Sequence, residues 1–129
     1  MSWTTKLLVI ANRTVDSDAL HDTLVARAAG GAVEVTLVAP ASAPGTQARL
    51  ERALVRLREA GVSAEGMVGD PDPIAAVQAA WDPRRFDEVV VATLPTDVSR
   101  WLSLDLPRRI RRLTDAQVTH VIASVPAYH

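Results

Sequence analysis

Short, solid apolar runs alternate along this chain with stretches whose apolar residues recur every three or four positions. Leu7-Leu8-Val9-Ile10-Ala11 is continuous and apolar, as in a strand buried on both faces. Asn12-Arg13-Thr14 ends it. Asp16-Ser17-Asp18 supplies capping residues and first-turn acids, and Leu20, Leu24 and Ala28 form a helical stripe closed by Gly30-Gly31. The β-branched run 32–39 predicts a second strand. Thr46 is placed to cap the next helix, whose Leu50, Ala53, Leu54 and Leu57 share one face. Arg49, Arg52, Arg56 and Glu59 lie opposite and read as a solvated surface. Gly61 stops this helix.

Residues 62–68 form a weaker, more polar strand suited to a sheet edge. Asp72 as N-cap with Pro73 at the first helical position marks a helix start, and Ile74, Val77 and Trp81 share its inner face up to Pro83. Strand four runs from Glu88 to Ala92. Asp105 then caps a helix with Leu106, Ile110 and Leu113 on one face and Arg108, Arg109, Arg111 and Arg112 around the rest. Val118 to Ala123 is the fifth strand, and 124–129 reads as a loosely ordered tail. The order βαβαβαβαβ predicts an open parallel sheet with helices on both faces, joined by right-handed crossovers.

Composition narrows the function. A chain of 129 residues, 48% hydrophobic, is long enough for one domain with its own core, spanning 1–129. A net charge of −1 with no single-sign tail gives no support to nucleic-acid binding. The absence of Cys excludes disulfides, thiolate metal sites and a Cys nucleophile, and His21, His120 and His129 are not spaced as a metal set. His120 lies within a strand and is expected to be packed or at an interface. No secretory leader or membrane span is evident, so a cytoplasmic protein without membrane attachment is expected.

In such sheets ligands sit outside the carboxyl ends of the strands. Asn12 and Arg13 follow strand one. Gly69 and Asp70 follow strand three, where Gly permits close backbone approach and Asp70 suits a sugar hydroxyl. After strand four, Thr93, Thr96 and Ser99 offer hydroxyls and Arg100 a planar fork for an anion, opposed by Asp97. The structural alternatives are a cap, a turn with helix start, and a rigid Pro-shaped loop. No nucleophile elbow, Walker loop or dinucleotide glycine motif occurs. A phospho-receiver would need acids after strand one and a Lys after strand five, whereas Lys6 is the only Lys.

Leu7 to Asn12, the strand ending Leu37-Val38-Ala39, Gly69-Asp70-Pro71-Asp72-Pro73-Ile74, the fourth strand with its loop, and Val118 to Ile122 together resemble a universal stress protein domain over nearly the whole length. The resemblance implies sheet order 3-2-1-4-5 and a homodimer through strand 118–123. It also implies a nucleotide site that would use the backbone of Val38 and Gly69-Asp70. Family members that bind ATP carry an Asp after strand one and a glycine motif after strand four. Here Asn12 stands at the first position, Thr93 and Thr96 at the first two glycines, and Leu106-Pro107 near the last pair. The expectation is a non-enzymatic, dimeric, stress-related regulatory or interaction module with a degenerate site, without catalytic or metal-binding residues. The alternative is a nucleotide (ATP, ADP or AMP) or another phosphorylated small molecule held by a remodelled loop 93–101.

Overall fold

The computed structural model describes residues 4–11, 14–41, 44–93 and 106–122. Its elements are β1 (Thr5–Ala11), α1 (Asp18–Ala29), β2 (Val33–Pro40), α2 (Thr46–Glu59), β3 (Ser63–Gly69), α3 (Pro73–Ala80), β4 (Glu88–Thr93), α4 (Leu106–Thr114) and β5 (Gln117–Ile122). The strands form one parallel sheet in the order β3-β2-β1-β4-β5. This is the predicted fold class; the strand boundaries fall within about one residue of those expected, except that β1 begins two residues earlier, at Thr5. Asp105 and residues 124–129 lie outside the described residues.

The continuous apolar runs occupy the centre because both faces of β1 and β4 are covered. Leu7, Val9, Val35, Leu37 and Val90 face α1 and α2, meeting Leu20, Leu24, Leu50, Ala53 and Leu57. Leu8, Ile10, Val38, Val89 and Val91 face α3 and α4, meeting Ala76, Val77 and Ile110. The alternate residues of each run thus point to opposite cores, as a period of two demands.

The caps follow sequence logic with one correction. Ser17 Oγ accepts from Leu20 N at 3.3 Å, and Asp72 Oδ1 accepts from Ile74 N at 3.0 Å with Pro73 opening α3. Thr46, expected as the cap of α2, is instead its buried first residue. Gly45 takes the capping position with φ 79°, a left-handed conformation in which glycine carries no side-chain clash.

The Arg row of α2 lies on a solvated face, as expected, and forms surface ion pairs there. Arg52 pairs with Asp16 at 3.1 Å and Arg56 with Asp18 at 2.9 Å, so α2 is tied to the start of α1. Leu113 departs from its expected buried face: it is 38% exposed, at the end of a nine-residue helix that overhangs the core.

Cover is uneven between the two faces. Helix α3 is only eight residues long and does not reach the first half of β3. A hollow of about 240 Å³ remains there, lined by Lys6, Glu34, Thr36, Glu65 and Arg85. The predicted polar edge strand is accordingly wet on this side, with Met67 exposed.

Candidate functional site

The strand order reverses at β1, whose neighbours are β2 on one side and β4 on the other. Successive crossovers leave this point toward opposite faces, opening the crevice in which ligands of such folds are held. Two hydrogen bonds brace its rim. Thr14 Oγ1 donates to the carbonyl of Ala92 at 3.0 Å, tying the turn after β1 to the end of β4. Ala41 N donates to the carbonyl of Gly69 at 3.1 Å, tying the ends of β2 and β3. Neither brace was visible as a motif, because Thr14 and Ala92 are far apart in sequence.

Four of the candidate residues lie among the described ones. Val38 is fully buried in the α3-side core and pairs with Ile10 and Met67, two residues inside the end of β2. Its backbone is part of the ladder rather than the rim. Gly69 is required for packing. A Cβ there would stand 2.8 Å from Val38 Cγ1 and 3.3 Å from Ala76 Cβ, so neighbouring side chains already fill the space that was expected to admit a ligand. Asp70 is exposed; its Oδ1 accepts from Asp72 N at 2.9 Å, closing the turn into α3. Oδ2 has no protein partner among the described residues, and Asp70 directly follows the last residue of β3.

Thr93, the last residue of β4, is 3% exposed. Its Oγ1 lies 2.7 Å from Nε2 of His120 on β5. Register explains the meeting: Val91 pairs with His120 and Thr93 with Ile122, so both side chains leave the same face. Burial disfavours the imidazolium and lowers the His120 pKa from its ordinary value, leaving a neutral ring beside Thr93. His120 was expected to be packed; its role as Thr93's partner needed the strand register. The Thr93 hydroxyl is thus committed within the protein. Asn12, Arg13, Thr96, Ser99 and Arg100 lie outside the described residues.

No family model matches the chain, and no curated protein matches it in sequence. Solved structures do match in shape. One is the universal stress protein from Archaeoglobus fulgidus in complex with dAMP, with TM-score 0.63 at 14% identity, covering 94% of this chain and 99% of that one. Another is a universal stress protein in complex with cAMP, with TM-score 0.60 at 22% identity, covering 94% and 98%. This is the universal stress protein fold. At these identities the likeness is one of architecture, and it extends over almost the full length of both chains.

Within that fold, the strand ends offer Asp70 and Asp72 as exposed carboxylates after β3, while Thr14 braces the ends of β1 and β4. Among the described residues no group of three or more His, Asp or Glu side chains could hold a metal ion, and no helix is long and apolar enough to cross a membrane.

Proposed function

We propose that this chain is a non-enzymatic regulatory module of the universal stress type whose ligand is a nucleoside monophosphate. The observation that carries the reading is the crevice at the β1–β4 reversal, in a fold whose solved neighbours hold dAMP and cAMP. Both those ligands have a single phosphate. A single phosphate needs fewer backbone donors than a triphosphate, and this chain has no glycine after Gly69 from which to build an amide cradle. In this reading Asp70 accepts from the ribose. Thr96, Ser99 and Arg100 meet the phosphate with hydroxyls and a guanidinium. The module acts in the cytoplasm as a homodimer joined through β5, an edge strand whose Ile122 is 53% exposed.

A second reading has its own support. The filled space at Gly69 and the engaged hydroxyl of Thr93 favour an interaction module that has lost its ligand. Calorimetric titration with AMP, cAMP and ATP separates the two. The first reading expects saturable binding of AMP or cAMP, ATP no tighter than AMP, and loss on Arg100→Ala. Heat from none of the three favours the second reading. ATP binding more than about tenfold tighter than AMP would mean that a triphosphate cradle exists and that the monophosphate assignment is wrong.

A further inference from the structure

Outside α4, every described arginine except the exposed Arg84 is held within the chain. Arg27, Arg52, Arg56 and Arg85 each pair with a carboxylate, and Arg49 and Arg58 each donate to a backbone carbonyl. On α4, by contrast, Arg109, Arg111 and Arg112 are exposed, and among the described residues none has a partner. The described part of the helix contains no acid. Arg109 and Arg112 lie one turn apart, and like charges at this spacing repel. The helix dipole accounts for cations in the last turn, at Arg111 and Arg112, and not for Arg109. Among the described residues nothing offsets the charge of Arg109, Arg111 and Arg112, which leaves these three cations available to an outside partner.

Beside this charge lies an open groove of about 620 Å³ between the C-terminal ends of α3 and α4, whose walls include Trp81, Pro83, Phe86 and Leu113. Asp87 and Asp115 also border it. Leu113 is exposed and follows Arg109 by one helical turn, so an apolar contact and a cation share one stripe. In a parallel sheet these helix ends lie at the N-terminal ends of the strands, away from the proposed nucleotide crevice. A second copy of the chain is a poor occupant, because a two-fold contact would set the same arginines against each other.

We propose that this surface docks a segment of another protein in which carboxylates flank an apolar side chain. The apolar side chain enters the groove against Trp81 and Leu113. The carboxylates lie along Arg109, Arg111 and Arg112. The apolar floor favours a polypeptide over nucleic acid or lipid headgroups, for which the charges alone would suffice. The inference is independent of the nucleotide reading.

The test is fluorescence anisotropy on the full chain with a labelled peptide of alternating Glu and Leu. An all-Glu peptide, a single-stranded oligonucleotide and phosphatidylserine vesicles are compared with it. Saturable binding of the Glu/Leu peptide, weaker for all-Glu and falling with added salt, is expected. The double variant R109Q/R112Q should bind roughly five- to tenfold more weakly, and Leu113→Ala should also weaken binding. The melting temperature of R109Q/R112Q should be unchanged or higher, because like-charge repulsion is relieved. Absence of peptide binding, unchanged affinity in both variants, or tighter binding of the oligonucleotide or vesicles would overturn the proposal.

Discussion

Glu88 opens β4 with its side chain turned toward α1. Both its oxygens are engaged: Arg27 Nη1 and Nη2 donate at 2.9 and 2.8 Å, and Thr119 Oγ1 adds a third hydrogen bond at 2.9 Å. One carboxylate therefore joins α1, β4 and β5. The two partners differ in exposure, the Glu88 side chain being 10% exposed and that of Arg27 38%. Removing either one should therefore have unequal effects. Arg27→Met strands a buried carboxylate with only Thr119, near the lower end of the roughly 3–5 kcal/mol seen when a buried pair loses one member. Glu88→Gln leaves a guanidinium that already reaches water, and its cost should be nearer about 1.5 kcal/mol.

Urea unfolding measures both. With a slope of about 2 kcal/mol/M, ordinary for a small domain, Arg27→Met should lower the midpoint by roughly 1.5 M and Glu88→Gln by about half that. The double variant should lose less than the sum, since the stranded charge is gone. Acid gives a second check. The Arg27 guanidinium, against the opposing effect of burial, holds Glu88 below the ordinary carboxylate value. A depressed folded-state pKa contributes stability above the unfolded value of about 4.3 that is lost as pH falls through the folded one. The gap between wild type and Arg27→Met should therefore shrink on acidification below about pH 4. Equal losses in the two single variants, or a loss under about 0.5 kcal/mol for Arg27→Met, would refute the asymmetry argument.

Three further outcomes follow from the same structure. His120 has a folded pKa lowered by burial, so the unfolded chain takes up a proton first as pH falls through about 6.5; wild type should lose stability on acidification through that region, and His120→Gln should lose this part of the slope in urea midpoints. Gly69→Ala should cost about 1–3 kcal/mol through overpacking against Val38, and Val38→Ala in the same chain should recover part of it; a variant as stable as wild type would mean that the position tolerates a side chain. The apolar edge at β5 predicts twice the chain mass by light scattering, and a monomer at working concentration would defeat the homodimer.

The sheet was legible because its strands are unusually plain. Leu7 to Ala11 and Val89 to Ala92 are apolar without interruption, and only central parallel strands satisfy both faces of such runs. Asp72-Pro73 was equally direct, because capping and proline geometry act within a few residues. What escaped depends on contacts between distant parts of the chain. Glu88 read as the start of a strand, with nothing nearby to nominate Arg27 as its partner. The arginines of α2 are solvated as they read, but their pairing with Asp16 and Asp18 needed the fold. Gly69 carried a plausible local reason for being glycine, close approach to a ligand, yet the near neighbour is Val38 on the adjacent strand. Thr93 likewise offered a hydroxyl on paper that β5 had already claimed.

The short reach of α3 has a consequence for how the sheet breathes. The first half of β3 is backed by α2 on one face and by water on the other, while β1 and β4 are enclosed on both. Amide protons of Ser63 to Glu65 should exchange through local detachment of this edge, whereas those of Val9 and Val90 should await global unfolding. Asp70 hangs from the far end of the same detachable strand. A molecule gripping Asp70 would hold the whole edge closed and slow exchange along β3, including residues it never touches.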